Sequence, residues 1–310
     1  MVMQAASVLV TGATGFIGQS LVRQLLKLEA RVTCLVREDS PDVLNDAVST
    51  IRIKKFDTES VTSALQEVSF EYVFHLASYG VNPENSDVME MLRANVDGTV
   101  ALLVAAQKWP LKRFIFTGSC AEYGTVPYSS FVDEKYPLNP LTLYSASKVA
   151  AGTYAKTYAE QFKLPFVWLR LFGVYGPGEA SYRLMPYLIN LLSKKESVDL
   201  SPGEQMRDFL YISDVVSALI AAATSPTLQQ AIYNICSSDP IAVCEVARAI
   251  AKNMNCDMSL LGFGKRNYRA GEVMWLVGDN AAFKRDTDWQ PKVNMSQGIC
   301  EMIQQLSRVI

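Results

Sequence analysis

Short runs of β-branched and other apolar residues recur through the first half of the chain, at residues 8–10, 32–36, 72–76, 113–117 and 166–171. They lack the polar alternation of a half-exposed strand, which predicts strands covered on both faces. Helical patterns lie between them, at residues 17–28, 87–108 and about 143–162. In the second of these, Val88, Leu92, Val96, Val100 and Val104 recur at every fourth position on one face. Strand and helix in alternation argue for an α/β, Rossmann-type doubly wound parallel sheet.

The texture changes after residue 171. Pro177, Gly178, Pro186, Pro202 and Gly203 punctuate the chain, and helices are expected at 182–194, 214–224, 242–252 and 296–310. The reading is a sheet domain over residues 1–171 and a smaller C-terminal domain over 172–310. A segment such as 231–236 is expected to return a strand to the first sheet.

Composition narrows the class. The 310 residues carry a formal net charge of -2 and are 49% hydrophobic. That is enough chain for a full core, and with no basic stripe it gives no electrostatic reason to bind nucleic acid. The six cysteines are Cys34, Cys120, Cys236, Cys244, Cys256 and Cys300; none forms a C-x-x-C pair, and His75 is the one histidine. No metal site of the Cys/His type is expected, and the thiols are expected reduced and mostly buried. The start of the chain lacks the pattern of a signal peptide, and no uncharged apolar stretch reaches the ~18 residues of a membrane span. The expectation is a cytoplasmic protein with no membrane contact.

Two motifs carry candidate chemistry. The segment Thr11-Gly12-Ala13-Thr14-Gly15-Phe16-Ile17-Gly18 follows the first strand and opens the first helix. A dinucleotide pyrophosphate needs backbone N–H donors at such a helix start with no Cβ in the way. Gly12, Thr14, Gly15, Phe16, Ile17 and Gly18 are therefore candidate cofactor contacts. At the end of the second strand, where an acid would take the adenosine ribose, stands Arg37, which suits a 2′-phosphate. Its plain alternative is a solvated strand-end charge, and Glu38 and Asp39 follow at once. The second motif is Tyr144-Ser145-Ala146-Ser147-Lys148. On a helix its spacing puts phenol and ammonium on one face, where the cation favours the phenolate. Such a tyrosine can exchange a proton with a sugar oxygen while hydride passes to or from a nicotinamide. Ser119, at the end of a strand, can hydrogen-bond the reacting oxygen.

With these motifs the chain resembles an extended short-chain dehydrogenase/reductase of the NAD(P)-dependent sugar-nucleotide epimerase/dehydratase family. Further segments carry the resemblance: His75-Leu76-Ala77-Ser78, Asn95-Val96-Asp97-Gly98-Thr99, Ser119 placed before Tyr123-Gly124, Arg170 through Val174-Tyr175-Gly176-Pro177-Gly178, Arg207-Asp208-Phe209-Leu210-Tyr211-Ile212-Ser213-Asp214, Arg269-Ala270-Gly271-Glu272, and Trp289-Gln290-Pro291. It implies Ser119, Tyr144 and Lys148 as catalytic residues, Lys148 also holding the nicotinamide ribose. It further implies cofactor contacts at Asp57 (adenine), Leu76, Ala77, Ser78 and Asn95. His75 is read as structural. Arg207 and Arg269 are assigned to the diphosphate of a nucleotide-diphosphate sugar, which also suits the bidentate chemistry of arginine. One departure stands out: the family often has Asn where Gly173 stands, so Arg183 is the candidate replacement contact. A homodimer through residues 87–108 and 143–162 is expected by analogy.

Three reactions share such a site: epimerisation at C4, 4,6-dehydration, and reduction of a 4-keto sugar. Dehydratases of the family carry acids just after the Ser/Thr, where this chain has Cys120 and Ala121, with Glu122 out of the usual register. Arg37 favours NADP(H) over NAD(H), and NADPH serves net reduction. The combination favours a 4-ketoreductase acting on a nucleotide-linked 4-keto-6-deoxyhexose in deoxysugar biosynthesis, similar to paratose and abequose synthases. Epimerase and dehydratase remain the alternatives. A non-catalytic NAD(P)-binding regulatory protein is the alternative of another class, opposed by the intact Ser119, Tyr144 and Lys148.

Overall fold

The computed structural model describes residues 3–82 and 84–306. The first half runs β1 (Ser7–Thr11), α1 (Phe16–Lys27), β2 (Arg31–Arg37), β3 (Ser49–Ile53), α2 (Thr58–Ala64), β4 (Tyr72–His75), α3 (Val88–Leu92), α4 (Gly98–Ala106), β5 (Arg113–Ser119), β6 (Phe131–Val132), α5 (Leu143–Phe162) and β7 (Phe166–Leu171). The second half adds β8 (Gly173–Tyr175), α6 (Leu184–Ser193), β9 (Val198–Leu200), β10 (Met206–Tyr211), α7 (Ile212–Thr224), β11 (Ile232–Ile235), β12 (Pro240–Ala242), α8 (Val243–Asn253), β13 (Leu261–Phe263), β14 (Trp275–Gly278), α9 (Ala281–Thr287) and α10 (Met295–Leu306).

Seven parallel strands form the main sheet in the order β11-β7-β5-β4-β1-β2-β3. This is the Rossmann-type doubly wound sheet that the apolar runs predict. Along β1, Val8 and Val10 face one buried layer and Leu9 the other. Both faces are covered, which is why the run shows no polar alternation. From β1 the chain winds outward to β2 and β3, then returns to β4 on the other side. The ends of β1 and β4 therefore flank a switch point, the usual crevice for a ligand in such sheets.

Beyond residue 171 the chain does two things. Its strand β11 joins the edge of the main sheet, with Asn234 opposite Arg170. Strands β8, β10, β12 and β14, together with β6, make a second, mixed sheet. Asp208 on β10 ties the two regions together. Its buried carboxylate accepts bonds from Ser237 N (2.7 Å), Ser237 Oγ (2.7 Å), Ser238 N (3.0 Å) and Gly278 N (3.3 Å).

The predicted helix over 87–108 is interrupted. A π-helical turn, Arg93–Asp97, separates α3 from α4. The wider turn inserts residues into the helical repeat and shifts the inward face. Met91, Asn95, Thr99, Leu102 and Leu103 are buried, whereas Val88, Leu92 and Val104 of the predicted stripe are exposed. The last helix ends its described span at Leu306, and residues 307–310 of the prediction lie outside the described residues. Among the described residues no helix is long and apolar enough to cross a membrane.

Candidate functional site

The crevice at β1 and β4 is shaped by backbone. Gly12 adopts φ +68°, and a Cβ there would lie 2.7 Å from Ala77 N and from Leu76 C. A Cβ on Gly18 would fall 2.1 Å from Gly12 O. Neither position admits a side chain, so the loop lies flat against the β4 end. Gly15 caps α1 with no side-chain hydrogen bond, and the first turn carries no acid. Its N–H groups are thus open to an anion, where helix dipole and missing Cβ both favour phosphate. The residues present fit a dinucleotide. Leu76, Ala77 and Ser78 line the facing side, held by Ala77 N donating to Thr11 Oγ1 at 3.1 Å.

The one histidine sits beneath this crevice. His75 is fully buried, with Nδ1 2.7 Å from Thr11 Oγ1 and Nε2 2.8 Å from Thr99 Oγ1. Burial, helped by the nearby Lys148 charge, holds its pKa well below the ordinary range. It is a neutral tie between β4, β1 and α4 with no route to a substrate.

Ser119 closes β5, and α5 supplies Tyr144 and Lys148 from its first two turns, started by a Thr142–Ser145 capping box. Sequence-distant Ser78, Ser119 and Tyr144 come together here. Burial pushes the phenol up to about 12, and the two serines oppose that shift. Lys148 is 2% exposed, with Nζ 4.4 Å from the centre of the Phe116 ring. Burial pulls its pKa down and Glu122 opposes this. The assembly can pass a proton to or from an oxygen beside Tyr144, with a cation behind the phenol. Cys120 borders the same space, but burial pushes its thiol up to about 12, so it stays protonated and weakly nucleophilic at neutral pH.

Glu122 is the residue whose part the sequence left unread. It is fully buried, accepting from Ser119 N at 2.7 Å and from Arg170 Nε at 2.9 Å. Arg170 is itself buried, between the rings of Trp168 (4.5 Å) and Tyr123 (5.0 Å). Burial raises the Glu122 pKa and Arg170 opposes it; at this separation we read an ion pair. The carboxylate therefore braces the Ser119 turn from behind. An acid one place before Tyr123, with an arginine on the neighbouring strand, was the available signal.

The remaining expected contacts divide. The amide of Asn95 is buried and fully engaged: Nδ2 donates to Tyr79 O (2.9 Å) and Ser147 Oγ (2.8 Å), and Oδ1 accepts from Tyr79 N (2.7 Å) and Ser78 Oγ (3.4 Å). Its side chain clamps the Ser78–Tyr79 turn to α5. The Asp57 carboxylate caps α2 through Ser60 N at 2.9 Å. Arg37 is exposed and pairs with Asp39 at 3.2 Å. Arg207 Nη2 meets Glu272 at 2.6 Å, Arg183 Nε meets Glu179 at 3.4 Å, and Arg269 is exposed. At Gly173 a Cβ would lie 2.7 Å from Asp208 O and 3.1 Å from the Phe209 ring, which leaves no room for an asparagine.

Known proteins match this chain along its length. The model of the NAD dependent epimerase/dehydratase family matches residues 8–236. The CDP-abequose synthase of Salmonella typhimurium is 26% identical over 310 residues, covering 96% of this chain and 98% of the relative. The dTDP-D-glucose 4,6-dehydratase of Dictyostelium discoideum is 29% identical over 78% of this chain and 61% of its own length. Among solved structures, the Thermus thermophilus UDP-glucose 4-epimerase in complex with NAD superposes with a TM-score of 0.87 at 26% identity, covering 98% of this chain and 99% of that one.

Proposed function

The chain belongs to the NAD dependent epimerase/dehydratase family, and we propose that within it this protein is an NADPH-dependent reductase of a nucleotide-linked 4-keto-6-deoxyhexose, acting at C4. The family's members are NAD(P)-dependent enzymes that epimerise, dehydrate or reduce sugar nucleotides, and this chain is one of them. The observation that carries the finer reading is the fate of Glu122. Dehydration asks for free acids after the catalytic Ser/Thr; here Cys120 and Ala121 stand there, and the one nearby acid is buried against Arg170 and Ser119 N. Similarity to the CDP-abequose synthase over nearly the whole of both chains supports the same reading.

In this reading Gly12, Thr14, Gly15, Phe16, Ile17 and Gly18 hold the pyrophosphate, Asp57 faces the adenine, Leu76 and Ala77 line the nicotinamide side, and Arg37 takes the 2′-phosphate. When bound, the cofactor supplies the hydride. Tyr144 gives its proton to the C4 oxygen, Ser119 hydrogen-bonds that oxygen, and Lys148 stabilises the phenolate and holds the ribose. Arg207 and Arg269, with Arg183 in place of the asparagine that Gly173 excludes, bind the diphosphate. Arg207 and Arg183 must share that duty with Glu272 and Glu179. The proposal is of a cytoplasmic homodimer, paired through the faces that leave Val88, Met89, Leu92, Val104, Tyr154 and Phe162 exposed.

The second reading is the 4-epimerase, and Asp39 favours it. The carboxylate paired with Arg37 competes with a 2′-phosphate, as an NAD enzyme would allow. Stoichiometry decides between them. The purified protein, given a nucleotide-linked 4-keto-6-deoxyhexose and NADPH, is expected to oxidise one NADPH per sugar reduced. Interconversion of two nucleotide sugars without net NADPH loss makes it an epimerase, and a 4-keto product from an intact hexose makes it a dehydratase.

A further inference from the structure

We propose that Glu122 is a positioning residue of the reaction: its carboxylate, anchored on Arg170, fixes the Ser119 backbone so that the Ser119 hydroxyl is presented as a hydrogen-bond donor to the reacting oxygen. The role rests on Ser119 serving that oxygen in the proposed reduction.

A serine hydroxyl has one proton to donate and lone pairs that accept. A loose serine at a strand end turns among its staggered rotamers and gives its proton to whichever acceptor is near. Ser119 is not loose. It ends β5 and opens a single 3₁₀ turn, Cys120–Glu122, that is tied to it reciprocally. Ala121 N donates to Ser119 Oγ at 3.2 Å, and Ser119 N donates to Glu122 Oε1 at 2.7 Å. The first bond occupies a lone pair of the hydroxyl and leaves its proton for an outside acceptor. The second holds the backbone from which that hydroxyl projects. Without an acceptor there, the turn has to shift to satisfy the N–H. The strand end makes room for the arrangement: a Cβ on Gly118 would lie 2.5 Å from Glu122 Oε1.

What makes the carboxylate a fixed point lies beyond the turn. Its other oxygen accepts from Arg170 Nε at 2.9 Å, on the neighbouring strand β7. Arg170 Nη1 donates to the Tyr123 hydroxyl at 2.9 Å and to Glu134 O at 3.3 Å. That hydroxyl donates to Asn234 Oδ1 at 2.7 Å. Asn234, on β11, donates through N to Glu134 Oε1 and through Nδ2 to Val132 O, both at 2.8 Å. Glu122, Tyr123, Arg170 and Asn234 are all buried. Two further strands of the main sheet thus set where Glu122 stands, and Glu122 sets Ser119. A pair needed only to fill the core could be apolar at similar or lower cost. The carboxylate supplies what methyl groups cannot: an acceptor for the backbone N–H of the residue that meets the substrate.

Stability and rate separate the two roles. The test compares full-length Glu122→Gln, the pair Glu122→Met with Arg170→Met, Ser119→Ala, and that pair combined with Ser119→Ala. Stability is read by urea unfolding and NADPH affinity by fluorescence titration. Glu122→Gln keeps an acceptor for Ser119 N but leaves Arg170 without a counter-charge, so it should be the less stable protein and keep most of its kcat per folded molecule. The methionine pair keeps the packing but loses the acceptor. It should be the more stable protein, with kcat lowered by about 10- to 100-fold, the scale of a misplaced group, and with KM and NADPH affinity unchanged. Ser119→Ala should lower kcat by about 10²- to 10³-fold. Adding the methionine pair to it should lower kcat no further, because the pair acts through that hydroxyl. Activity that follows stability, lost in Glu122→Gln and normal in the methionine pair, marks a purely structural pair and overturns the inference. So does a methionine-pair loss that appears in KM or NADPH affinity, or that multiplies in full with the loss from Ser119→Ala. If Ser119→Ala itself turns over normally, the inference falls together with its premise.

Discussion

At the ends of β1, β4 and β5 the polar groups are buried and already bonded. His75 is held by two threonines, Asn95 has its whole amide engaged, and Glu122 lies between Arg170 and the Ser119 backbone. The arginines proposed for the diphosphate wall, Arg183, Arg207 and Arg269, sit in half-exposed or exposed positions, and the first two lean on the carboxylates of Glu179 and Glu272. One wall of the crevice has a fixed shape before any ligand arrives. In the proposed function the other carries Arg183 and Arg207 in ion pairs that the diphosphate displaces. Fixed geometry suits proton and hydride transfer, where small misplacements are costly. Exchangeable pairs suit a wall that must accept and release a charged substrate.

The sharpest way to break this contrast is within the fixed wall. Tyr144→Phe removes only the phenol proton and should lower kcat by about 10²- to 10⁴-fold, the usual worth of a positioned acid. NADPH binding, read by fluorescence quenching, should be nearly intact. Turnover near wild type means that the acid lies elsewhere.

Glu122→Gln comes next. Its amide can still accept from Ser119 N but leaves the buried Arg170 without a counter-charge, and such losses cost about 3–5 kcal/mol. Chemical denaturation should show that destabilisation, and replacing both partners by methionine should recover much of it. A Glu122→Gln protein as stable as wild type argues that the pair is not ionised.

Two arginines then probe the exposed charges. Arg37→Ala should weaken NADPH binding by about 10- to 100-fold more than NADH binding, with the gap narrowing at high salt. Equal losses for both cofactors mean that Arg37 does not meet the 2′-phosphate. Arg207→Ala should raise KM for the nucleotide sugar by a similar factor of about 10–100 and leave cofactor affinity alone. An effect on cofactor affinity would put Arg207 on the wrong wall.

The smallest expected effect is on pH dependence. His75 stays neutral in the folded protein, while in the unfolded chain it takes a proton below about pH 6.5. Its folded pKa is depressed, so stability is full above that value and falls as pH drops, by at most about 1.4 kcal/mol per pH unit. Urea unfolding between about pH 5 and 7 should show this slope, reduced in His75→Gln. Since the chain has one histidine, a slope unchanged in that variant means that His75 is not its source.

What could be read without coordinates followed from local rules. Apolar runs without alternation marked the inner strands, because both faces of the sheet are covered. The glycines of residues 12–18 marked the cradle, because two of them leave no space for a Cβ. Helix α5 and strand β7 lie where their patterns indicated, Leu143–Phe162 and Phe166–Leu171. Strand β3 gave no such run, because at the sheet edge only Ile53 of its five residues is buried. The valine stripe of residues 88–104 misled, since its periodicity assumed an uninterrupted α-helix and a π turn intervenes.

The sequence by itself determined the doubly wound sheet, the glycine cradle and the presence of Ser119, Tyr144 and Lys148, since each is written in neighbouring residues or a short repeat. Only the tertiary structure decided what surrounds them. Glu122 meets Arg170 across 48 positions of chain, and Arg207 meets Glu272 across 65. Periodicity and spacing report contacts within a strand or a helical turn. Contacts made where separate strands end side by side depend on sheet order and register, and those are settled by the packing of the whole core.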